Sequence, residues 1–144
     1  MTPGLMVTVV DPDDDYLGIE IRACSDRFAG SARIYAGLDE LSAFADQLVG
    51  FPEDNEDQRT HEFASREPHV AGGYCGLRLH CVDRAGHVAV DVTIEDDDDR
   101  YAPASAQMSF RTEAAAVDIF IASLREIQFK KSGAATLCSV SIAG

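Results

Sequence analysis

The chain has 144 residues, 46% of them apolar and 26% charged, and a formal charge of −13. That length and balance fit one globular domain, which buries roughly 68–70% of its unfolded surface and needs no disulfide staples. No apolar run nears the ~18 residues of a membrane span, and an acidic surface repels nucleic acid and anionic lipid while favouring basic partners.

In chain order, "LMVTVV" (Leu5–Val10) reads as a strand from its β-branched content. "DPDDD" is a turn, and "YLGIEIRAC" alternates, with Leu17, Ile19, Ile21 and Ala23 on one face. Phe28, Ala32 and Ile34 continue that alternation. The period then becomes helical through Leu38, Leu41, Phe44, Ala45 and Leu48, and Gly50 and Pro52 close the helix. A short strand is expected around His61 to Ala64, then a loop, "SREPHVAGG".

The clearest element is a hairpin. "YCGLRLHC" turns Cys75, Leu77, Leu79 and Cys81 inward, and "HVAVDVTI" turns in Val88, Val90, Val92 and Ile94. With Asp83 to Gly86 as the loop, Val82 meets His87, Leu79 meets Val90, Leu77 meets Val92, and Arg78 meets Asp91. That register sets apolar against apolar and plus against minus. "ASAQMSF" supplies another strand, with Ala104, Ala106, Met108 and Phe110 inward. A second helix carries Ala114, Val117, Phe120, Ile121, Leu124 and Ile127, with Gly133 as its stop. The tail, 134–144, offers one further strand.

A shift of 76 residues lays Ala32, Ile34, Leu38, Leu41, Phe44, Leu48 and Phe51 onto Met108, Phe110, Ala114, Val117, Phe120, Leu124 and Ile127. The candidate half-repeats are 5–51 and 59–129, each a β-meander closed by a helix. The expected fold is a single α+β domain over residues 1–144: an antiparallel sheet of meander hairpins with two amphipathic helices on one face.

The charge is local. Three runs hold 13 acids: Asp11, Asp13, Asp14 and Asp15; Glu53, Asp54, Glu56 and Asp57; Glu95, Asp96, Asp97, Asp98 and Asp99. Outside them 12 acids face 12 bases. "DPDDDYLGIEIR" begins like a calcium loop but has Tyr16 at the glycine position and Arg22 at the twelfth. The last run is consecutive, so neighbouring carboxylates point apart in an extended chain. Solvated turns are the default expectation, with a partner-facing patch as the alternative.

His80 and His87 fall on the hairpin's outward face near Asp91, short of the four ligands of tetrahedral zinc. His61 and His69 have no identifiable partner. Cys75 is the only nucleophile candidate in "GGYCG", yet it fits the apolar alternation. None of the four cysteines has CxxC spacing, which suits reduced, buried thiols. No catalytic residue, cofactor or metal is expected. The stretch "MTPGLMVTVVDPDDD" has no basic leader, which points to the cytoplasm.

"FAGSARIYAGLDELSAFADQLVGFP", "AGGYCGLRLHCVDRAGHVAVDVTIEDD" and "AAAVDIFIASLREI" together resemble a group of small uncharacterised bacterial proteins, some relatives of which are called WapI-type immunity proteins. The resemblance rests on packing motifs and implies a toxin-neutralising partner protein without chemistry. The leading expectation is thus a non-catalytic binding protein that engages a basic toxin through Asp13–Asp15 and Glu95–Asp99. Two alternatives stay open: a small hydrolase or metal-dependent enzyme using His80, His87 and Asp91, and a self-associating domain forming a homodimer. No nucleic acid or membrane partner is expected.

Overall fold

Alternating and helical periods resolve into ten elements along the chain. They are β1 (Gly4–Pro12), β2 (Leu17–Cys24), β3 (Ala29–Ala36), α1 (Glu40–Leu48), β4 (Gln58–Phe63), β5 (Tyr74–Cys81), β6 (His87–Asp96), β7 (Ala104–Glu113), α2 (Ala114–Lys130) and β8 (Ala134–Cys138). The computed structural model describes residues 3–64, 73–96 and 101–140. The antiparallel α+β architecture expected from the sequence holds. Its strands divide between two four-stranded sheets, sheet 1 in the order β3-β2-β1-β8 and sheet 2 in the order β4-β5-β6-β7.

The expected hairpin is β5–β6. Leu79 pairs with Val90, Leu77 with Val92, Arg78 with Asp91 and His80 with Ala89. The Val82 amide donates to the His87 carbonyl at 3.0 Å. Gly86 closes the turn at φ +85°, where a side chain would be strained. The Asp83 carboxylate accepts the Ala85 amide at 2.8 Å within the same turn. β7 then stacks Phe110 beside Val90 and Met108 beside Val92. Ala104 was expected inward but is exposed, because the strand begins beyond the reach of the core.

Each half of the chain reads β-β-β-α-β. In each, the strand after the helix leaves its own meander. β4 pairs with β5, setting Phe63 beside Cys75. β8 pairs with β1, setting Leu137 beside Leu5. Each sheet is therefore three strands from one half closed by one strand from the other. Sequence periodicity starts the second half at residue 59. The meander that matches β1–β2–β3 starts at Tyr74 instead, and Gln58–Phe63 follows α1 as Ala134–Cys138 follows α2.

The inner faces of both sheets and both helices share one core. α1 buries Leu41, Phe44, Ala45 and Leu48, and α2 buries Val117, Phe120, Ile121, Leu124 and Ile127. Phe44 sits at the junction, its ring 5.3 Å from Phe63 and 6.0 Å from Phe120, both edge-on. Between the helices the Ser42 amide donates to Gln128 at 2.7 Å, and Arg125 meets Asp46 at 2.7 Å. α2 stops at Lys130 because Lys131 and Gly133 take left-handed backbone, at φ 53° and 98°. The outward positions of sheet 1 expose Met6 and Tyr35. No helix among the described residues is long and apolar enough to cross a membrane.

Candidate functional site

The Asp13–Asp15 group lies on the β1–β2 turn, where the Asp13 amide donates to Tyr16 O at 3.2 Å and the Asp15 amide to Asp13 Oδ1 at 3.1 Å. Asp13, Asp14 and Asp15 are exposed, and none forms an ion pair among the described residues. The Tyr16 hydroxyl donates to Asp11 at 3.3 Å, and the charge of Asp11 raises its pKa.

Glu95 and Asp96 end β6, pairing with Ser105 and Ala104 of β7. The run was expected to be an exposed connection, but its first two residues are half-buried and paired within the strand; Asp97, Asp98 and Asp99 lie outside the described residues, as does His69. The middle run flanks the opposite end of sheet 2, where the Cys81 thiol donates to Asp54 O at 3.6 Å.

The runs do not converge. Gly30, early in β3, faces Ala106 and Ile94 near the β6–β7 end of sheet 2. The Asp13–Asp15 turn lies beyond the Leu17–Ala36 end of sheet 1, whereas Glu95 O lies close to Gly73, which bonds Arg33 in the middle of β3. The Asp54–Asp57 loop is separated from Asp96 by the length of β6, roughly 30 Å.

A second constellation stands on the outer face of sheet 2, where β5, β6 and β7 bring Arg78, Asp91 and Ser109 into one cross-strand row. Asp91 is its hub. It accepts from Ser109 Oγ at 2.7 Å, His80 Nε2 at 3.0 Å and Arg78 at 3.1 Å. Burial pushes the Asp91 carboxyl up. The Ser109 hydrogen bond and the charges of His80 and Arg78 outweigh that and hold it below its ordinary value. Ser109 was not foreseen; the β7 alternation that turns Met108 and Phe110 inward turns it outward, onto Asp91. Serine, aspartate and histidine meet here in the wrong order for nucleophilic catalysis, because the serine proton points at the carboxylate and not at the imidazole.

His87 does not join this group. Its Nδ1 bonds Asp83 at 2.5 Å, and that hydrogen bond is the main reason the Asp83 pKa is lowered. The trio His80, His87 and Asp91 is therefore split between two carboxylates. Among the described residues no group of three His, Cys, Asp or Glu side chains is placed to hold a metal ion. Burial pushes the Cys75 thiol up to about 12, so it packs as a small hydrophobe. Cys24 is also buried, Cys81 is half-buried, and Cys138 is exposed, unlike the buried thiol expected of it.

His61, without a partner in the sequence reading, sits between β4 and α1. Its ring stacks on Phe44 at 4.8 Å, and its nitrogens reach Gln47 at 3.2 Å and Glu40 at 3.4 Å. Beside it Arg59 donates to the carbonyls of Gln47 and Val49 at 2.8 and 3.2 Å, and pairs with Asp57 at 2.8 Å.

The chain matches no protein-family model, and no curated protein or solved structure matches it.

Proposed function

We propose that the protein is a non-catalytic binding module for a basic protein partner, with the Asp13–Asp15 turn and the Glu95–Asp99 connection as separate contact regions. The reading follows the resemblance to immunity proteins, with a secreted toxin as the partner. The observation that carries it is the Asp13–Asp15 turn: three exposed carboxylates that no internal ion pair consumes among the described residues. Such rim charges act by steering encounter more than by anchoring. Two separate acidic regions, one on each sheet, suit a partner broad enough to reach both.

The test starts from a toxin domain encoded beside this gene. Co-expression should restore growth to cells making that domain. Stopped-flow association should slow several-fold, with a flatter salt dependence, when Asp13–Asp15 or Asp96–Asp99 are replaced by Ser. Rates that ignore both replacements would rule out the acidic contacts.

The enzyme alternative draws on the His80–Asp91 pair at 3.0 Å. The engagement of His87 by Asp83 weighs against it. Metal stoichiometry of protein purified without chelator decides that reading: one bound zinc or iron per chain, removed by His87→Ala, would establish it.

A further inference from the structure

One concave region brings two arginines to its lining on an otherwise acidic molecule. A groove of about 650 Å³ runs between the β2–β3 turn, the middle of β7 and the segment that follows β8. Its size falls within the range of small-molecule sites, roughly 300–1,000 Å³. Arg27, beside sheet 1, and Arg111, on sheet 2, both line it, and Phe28 lines it while 68% exposed. Neither guanidinium has an ion-pair or hydrogen-bond partner among the described residues. Arg59, Arg78 and Arg125 are all engaged with carboxylates. Among its described lining residues Asp26 is the one acid, against two arginines. That pairing stands out on a chain of net charge −13.

The walls are held before any ligand arrives. Ser25 closes the turn, its amide donating to Phe28 O at 2.8 Å and its hydroxyl accepting the Phe28 amide at 3.1 Å. Past β8, the Ser139 amide donates to Pro3 O at 3.2 Å and the Val140 amide to Arg111 O at 2.8 Å. Thr112, fully buried, donates to Cys138 O at 2.8 Å and pins the same segment to β7. These bonds fix the backbone that forms the groove, so its shape need not be built on binding.

We propose that this groove binds a small organic anion, its phosphate or carboxylate headgroup held between Arg27 and Arg111 and its flat apolar body against Phe28. Guanidinium forks match oxyanions in two-point geometry, and an exposed aromatic ring offers contact area with few torsions to freeze. The site is independent of the acidic turns and of the proposed partner.

Titration calorimetry of the full chain with phenyl phosphate tests it, with benzoate as the carboxylate arm and benzylamine as the cationic control. Saturable one-to-one binding of phenyl phosphate, benzoate or both is expected, and none of benzylamine. Whichever anion binds names the headgroup. Arg27→Gln and Arg111→Gln should each weaken binding about tenfold, the loss of one charge-assisted contact. Phe28→Ala should weaken phenyl phosphate and leave inorganic phosphate unchanged. Arg84→Gln, an exposed arginine on the β5–β6 turn, should change nothing. The proposal is overturned by failure of both anions to saturate, or by binding that survives the Arg27→Gln/Arg111→Gln double variant. All these positions are exposed, so an unchanged melting temperature separates loss of binding from loss of fold.

Discussion

β8 enters sheet 1 with Ala135 and Leu137 turned inward, both fully buried beside Val7 and Leu5. β4 occupies the matching place in sheet 2, yet turns in Arg59, His61 and Phe63, and only Phe63 is fully buried. The helices explain the difference. α2 has 17 residues and supplies its own C-terminal lysine, Lys130, so an apolar strand beside it suffices. α1 has nine residues and no basic residue in its last turn. So short a helix is unstable alone, and β4 clamps it: Arg59 on its last carbonyls, His61 between Glu40 and Gln47. A histidine and an arginine on the inner face of a strand are here structural parts.

The largest expected effect is at the apolar closure. Leu137→Ala should cost about 2–5 kcal/mol in urea unfolding, as should Leu79→Ala in the sheet 2 core. Arg59→Ala should cost less, about 1–3 kcal/mol, since it removes hydrogen bonds at a partly open surface. If Arg59→Ala cost more than Leu137→Ala, the polar closure would be the stronger one and the comparison would invert.

Acid should separate the two closures further. The Arg59 hydrogen bond is the main cause that lowers the Asp57 carboxyl below its ordinary 3.8. A depressed folded pKa stabilises the fold above the unfolded value and ceases to do so as pH falls through the folded one. The stability gap between the native chain and Asp57→Asn should therefore be full at neutral pH and narrow below 3.8. The Leu137→Ala gap should stay flat over that range. Parallel pH curves for both variants would remove the polar character assigned to β4.

The smallest effect is expected at the acidic turn. Replacing Asp13, Asp14 and Asp15 together by Ser should move the unfolding free energy by less than about 0.5 kcal/mol per site. A larger loss would mean that the turn matters to the fold and not only to a partner.

Local signals were readable in the sequence. The β5–β6 register followed from matching Leu79 with Val90 and Arg78 with Asp91, because a slip of one residue would bury the charges. The helices followed from their 3.6-residue period. The strand exchange was not readable, since periodicity says which face of β4 or β8 is apolar but not which distant strand it joins. Ser109 on Asp91 and Arg59 on the end of α1 join neighbouring elements for which no register had been drawn, while the groove between Arg27 and Arg111 joins residues far apart in sequence.

The strand exchange also orders events as the chain leaves the ribosome. Sheet 2 finds β4 already made when β5 appears, so each of its strands pairs with its predecessor. Sheet 1 must wait, its β1 edge open, until Ala134–Cys138 emerges. Joining Gly4 to Cys138 closes a loop spanning nearly the whole chain, a slow step that leaves an unpaired strand edge exposed to other nascent chains.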